Sequence, residues 1–74
     1  MIRIQPEDFV GTHRGTIVNP VQKAIDRLGL PYFIGWDEMS NMETGEFRPL
    51  PNKIKKFLKA WDHGRTMGPC ELEF

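Results

Sequence analysis

Two short amphipathic stripes constrain this chain more than any other feature. Val21, Ala24, Ile25 and Leu28 recur at i, i+3, i+4 and i+7, and Ile54, Phe57, Leu58 and Trp61 repeat the spacing, so each segment forms a helix with one narrow apolar face. In 74 residues, two such helices cannot bury themselves against each other and also cover both faces of a sheet. The economical arrangement places both helices on one face of an antiparallel sheet.

Local punctuation supports both helices. Asn19-Pro20 opens the first, with Asn accepting from exposed N–H groups and Pro tolerated in the first turn; Gln22, Lys23, Asp26 and Arg27 face away from the stripe, and Gly29 supplies the left-handed stop. The second begins around Pro51-Asn52, with Leu50 or Asn52 as its cap, and ends at Gly64.

Strand signals fill the rest. Met1 to Gln5 alternates apolar and polar residues before Pro6. Pro31 to Trp36 is aromatic and β-branched, which predicts a well-buried central strand. Residues 37–50 predict a hairpin, with Met39 and Met42 on one side and Glu43-Thr44-Gly45-Glu46 as its turn; Cys70 to Phe74 alternates as a closing strand. Residues 7–19 form a loop, with Phe9, Val10, Ile17 and Val18 expected to pin its ends to the core. The expectation is one small α+β domain over residues 1–74, with an antiparallel sheet of three to five short strands and the order β-α-β-β-β-α-β.

Composition narrows the function classes. A hydrophobic content of 39% with eight aromatics (five Phe, two Trp, one Tyr) belongs to a folded domain. Ten basic residues against ten acidic ones leave no net charge, which removes the simplest argument for a general nucleic-acid binder. The lone Cys70 has no intramolecular disulfide partner, so a reducing cytoplasm is the expected setting. No apolar run approaches the roughly 18 residues of a membrane span, and no membrane partner is expected.

Asn19-Pro20-Val21-Gln22-Lys23-Ala24-Ile25, Leu50-Pro51, Lys56-Phe57-Leu58, Asp62-His63-Gly64 and Pro69-Cys70-Glu71-Leu72-Glu73-Phe74 together resemble a pattern found in small uncharacterised proteins of bacteria and their phages. The resemblance implies a phage or mobile-element gene, acting in the host cell cytoplasm, and supports the same order of elements. In such relatives the position near Cys70 is more often aromatic, so the thiol is a departure from the pattern. The resemblance supplies no active site.

Chemistry-bearing residues are scattered. Cys70, His13 and His63 do not stand at metal-ligand or dyad spacing, and no C-x-x-C or H-x-x-x-H occurs. Gly11-Thr12-His13-Arg14-Gly15 precedes a helix, where backbone N–H groups can cradle an anion, but it lacks the G-K-[ST] ending and Pro20 removes a donor; a polar loop with two glycines is usually just a loop. Glu71 and Glu73 share a strand face without forming a cleft, and charge on an edge strand accounts for them. No catalytic residue, metal or cofactor is assigned.

Charge segregation is the remaining signal. Lys53, Lys55, Lys56, Lys59 and Arg65, with Asp62, give +4 over residues 53–65, whereas Asp37, Glu38, Glu43 and Glu46 give −4 over residues 37–46. A helical wheel puts Lys55, Lys56, Lys59 and His63 in one arc opposite the apolar stripe. A solvated helix face explains the lysines without function; a patch steering an acidic partner is the functional reading. Tyr32, Phe33, Trp36, Phe47 and Trp61 can stack bases if displayed on an open sheet face, but a chain this small needs most of them as core. Met42 and Met39 are candidates for an adaptable contact surface, with core filling the simpler use. These features point to a non-enzymatic binding module; the resemblance to phage proteins implies that its partner is a host protein, with inhibition of a defence or replication component as one instance. The alternative is a nucleic-acid-binding accessory protein using the lysine face, and an enzyme ranks third.

Overall fold

A computed structural model describes residues 1–73. The elements run β1 (Ile2–Ile4), a 3-10 turn (Pro6–Phe9), α1 (Pro20–Arg27), β2 (Tyr32–Ile34), β3 (Glu38–Asn41), β4 (Phe47–Pro49), α2 (Asn52–Asp62) and β5 (Cys70–Leu72). The class is α+β in the expected order, and the strands divide into two antiparallel sheets, β1-β5 and β2-β3-β4. Phe74, expected to end the last strand, lies outside the described residues.

Both helices start and stop where local chemistry requires. The Asn19 side chain accepts from the Gln22 N–H at 2.8 Å, with Pro20 in the first turn. Pro51, rather than Leu50 or Asn52, occupies the cap of α2 and offers no side-chain acceptor. Gly29 and Gly64 adopt φ of 69° and 91°, a region that side chains with a Cβ avoid. The turn this permits lets Leu30 N–H donate to Ile25 C=O and Arg65 N–H to Ala60 C=O, each at 3.1 Å, so both helix ends satisfy carbonyls that would otherwise lack partners.

The core joins Ile2 and Ile4 of β1, Val21, Ala24 and Ile25 of α1, Ile34 and Met39 of the larger sheet, Ile54, Phe57 and Leu58 of α2, and Leu72 of β5. Leu28 does not join its stripe. It follows the last helical residue and is exposed. Val10, Ile17 and Val18 are exposed as well, so of the four expected apolar anchors Phe9 is the one packed against the core, its ring 6.4 Å from Phe57 and 5.6 Å from Trp61. β2 is an edge strand and β3 the central one, which corrects the reading of Pro31 to Trp36 as central and well buried.

On the polar side of α1, Gln22 and Arg27 reach the two sheets. Gly35 N–H donates to Glu38 C=O and Met42 N–H to Pro31 C=O, which places the odd-numbered residues of β2 toward β3 and turns the backbone groups of Tyr32 and Ile34 to the opposite edge. There the Gln22 side chain donates to Tyr32 C=O at 3.0 Å and accepts from Ile34 N–H at 2.8 Å. One amide thus stands in for a neighbouring strand. Arg27 reaches the other sheet, donating to Arg3 C=O at 2.9 Å and to both carboxylate oxygens of Asp8 at 3.1 Å.

Asp8 is 2% exposed and also accepts from Gln5 N–H at 2.8 Å, closing the 3-10 turn. Burial pushes its pKa up, but the Arg27 hydrogen bond, the Gln5 N–H and the charges of Arg27 and Lys23 outweigh that effect and hold the carboxyl below its ordinary value.

Two stability predictions follow from this packing. Phe57→Ala should cost roughly 3 to 5 kcal/mol in urea denaturation, because it empties the centre of the α2 face. Asp8→Asn should cost ~2 kcal/mol at neutral pH, as expected for losing charged hydrogen bonds. Since the folded carboxyl titrates below the unfolded one, its contribution is present above the ordinary aspartate value of 3.8 and lost as pH falls through the lower folded value. The gap between wild type and Asp8→Asn should therefore close in acid.

Candidate functional site

Directly opposed residues of antiparallel strands project to the same face. The register Ile34↔Met39↔Arg48 sends Ile34 and Met39 into the core, so Phe33↔Ser40↔Phe47 and Glu38↔Pro49 lie on the outer face of the three-stranded sheet. Phe47 is 72% exposed and Phe33 37%. Met42, 69% exposed, places its sulfur 3.8 Å from Ser40 Oγ and extends the same surface. Met39 is core and Trp61 is core, whereas Phe33, Phe47 and Met42 form an uncovered apolar row.

Neither edge of this sheet invites another strand. Gln22 occupies the β2 edge, and Pro49 on β4 has no N–H to contribute. The sheet offers a partner its face.

The four acidic residues flank that face. Glu38 lies on it and Asp37 just before it, in the β2–β3 turn; Glu43 and Glu46 lie in the β3–β4 turn at the other end. That turn is held by Asn41, whose Oδ1 accepts from Glu43 N–H at 2.9 Å and whose N–H donates to Glu46 C=O at 2.8 Å. Asp37 is partly neutralised, its carboxylate 3.4 Å from Lys55 Nζ.

The basic residues do not make one patch. Lys53 pairs with Glu73 at 3.7 Å, and Lys55 pairs with Asp37. Lys55, Lys59 and His63 border a groove of about 470 Å³ between α2 and the β2–β3 turn, lined as well by Leu58 of α2, Ile17 and Trp36, which is 69% exposed. Lys56 and Arg65 lie outside that groove.

The glycine loop is occupied by its own chain. Gly15 N–H donates to Asp62 Oδ1 at 2.9 Å and His13 N–H to Val18 C=O at 2.9 Å. Arg14 donates to the carbonyls of Trp61 and Arg65 and stacks its guanidinium 3.9 Å from the Trp61 ring centre, so this loop tethers the end of α2. Among the described residues, no cluster of three or more His, Cys, Asp or Glu can hold a metal ion. No helix among them is long and apolar enough to cross a membrane.

No protein-family model, no curated protein and no solved structure matches this chain. The likeness to small phage and bacterial proteins therefore rests on the quoted residues alone.

Cys70 is half-buried against the core, and burial pushes its thiol pKa up. Its reaction with iodoacetamide at neutral pH should be several-fold slower than in the urea-unfolded chain, because less thiolate is present. Cys70→Ser should retain the wild-type circular dichroism spectrum.

Proposed function

We propose that the chain is a non-enzymatic binding module whose docking surface is the outer face of the three-stranded sheet. The supporting observation is the uncovered row of Phe33, Phe47 and Met42 with Glu38 among them and Asp37, Glu43 and Glu46 at its ends. Exposed apolar patches with polar rims mark protein interfaces. Carboxylates around this one repel a nucleic-acid backbone and favour a protein whose apolar contact is framed by Lys and Arg. The resemblance to phage proteins adds that the partner belongs to a host cell, with inhibition of a defence or replication component as one instance.

Capture experiments with wild-type and variant proteins test this reading. A partner retained after nuclease treatment should be lost with Phe33→Asp/Phe47→Asp and weakened by Glu38→Lys/Glu43→Lys, while Lys55→Glu/Lys56→Glu/Lys59→Glu should leave binding through the sheet intact. Capture indifferent to the sheet variants overturns the proposal. Submicromolar, lysine-dependent binding to DNA or RNA at physiological salt, tighter than the roughly 10⁻⁴ to 10⁻⁶ M of nonspecific binding, replaces it with the nucleic-acid reading.

A further inference from the structure

The groove beside Trp36 is a second surface, which shares Asp37 with the rim of the Phe33/Phe47 row. Its volume, about 470 Å³, suits a small molecule rather than a flat protein contact. One wall is α2, presenting Lys55 and Lys59 one turn apart with His63 a turn beyond; the opposite wall is the β2–β3 turn with the Trp36 indole. Both carboxylates in the groove have internal partners, Asp62 on Gly15 N–H and Asp37 on Lys55. Lys59 has no ion-pair partner among the described residues, and the Lys55–Asp37 pair is exposed on both sides, so an incoming anion can compete for Lys55 at little cost.

We propose that this groove binds a planar heterocycle carrying a phosphate, a nucleoside monophosphate, with the ring stacked on Trp36 and the phosphate on Lys59 and Lys55. Stacking on an open indole is sequence-tolerant, and two ammonium groups at helical spacing supply the charge that a neutral ring alone would not need. The inference rests on Trp36 and the two lysines rather than on the Phe33/Phe47 row.

The two tryptophans make the test direct. In ¹H–¹⁵N spectra, AMP should move the indole Nε1 resonance of exposed Trp36 and leave that of buried Trp61 in place. Adenosine and ribose 5-phosphate each supply half of the ligand and should bind at least about tenfold more weakly than AMP, equivalent to ~1.4 kcal/mol. Lys59→Glu should weaken AMP by a similar factor, Lys56→Glu on the same helix should not, and Trp36→Leu should abolish saturation of the remaining groove resonances. Adenosine binding as tightly as AMP, or AMP shifts insensitive to Lys59→Glu, would overturn the phosphate contact. No Trp36 shift at millimolar AMP would overturn the site.

Discussion

The structure depends on α1, which serves both sheets at once. Its apolar side, Val21, Ala24 and Ile25, is fully buried in the core shared by β1 and the larger sheet. Its polar side completes the strands. Gln22 satisfies Tyr32 and Ile34 on β2, while Arg27 satisfies Arg3 on β1 and holds Asp8 beneath it. A backbone group left buried and unpaired costs about as much as a hydrogen bond contributes, so these side chains supply what strand pairing otherwise would. This also accounts for two small sheets rather than one of five strands, since backbone groups of β1 and β2 are already engaged by the helix.

Closing those backbone groups has a functional consequence. With Gln22 on one edge and Pro49 on the other, the three-stranded sheet cannot readily recruit a further strand, and its remaining asset is a face. That face is apolar because the hairpin places Phe33 and Phe47 across Ser40, on the side opposite Ile34 and Met39. The fold thus directs association toward side-chain recognition, in which aromatic area contributes affinity and the surrounding carboxylates select the partner.

Much of the fold was legible in the sequence because helix signals are local. Asn19, Pro20, Gly29 and Gly64 act through bonds within their own turns, so residue type and spacing suffice to place both ends of α1 and the end of α2, whereas the start of α2, capped by Pro51 with no side-chain acceptor, carries no such signal. The facing of strands was less legible. Aromatic and β-branched residues favour a pleated strand whichever side they occupy, so composition does not distinguish Phe33, which alternation sends outward, from Ile34, which points in. The acidic candidates could be placed along the hairpin, but their relation to an apolar row emerges only from strand register.

Long-range polar contacts were the least legible. Asp8 lies three residues after Gln5 and two after Pro6, a local hint of a capped turn, yet nothing in its neighbourhood identifies Arg27 as its partner. The same limit applies to the loop of Gly11 to Gly15. Its glycines suggested an anion site, and an anion is present, but it is the carboxylate of Asp62 from the end of α2. Arg14 engages the carbonyl of Trp61 in the last turn of that helix and that of Arg65 just beyond it, so the loop meets a negative side chain through an N–H and backbone carbonyls through a guanidinium. Residue types give the order of charges along the chain; only its three-dimensional path brings Arg27 to Asp8 and the Gly15 N–H to Asp62.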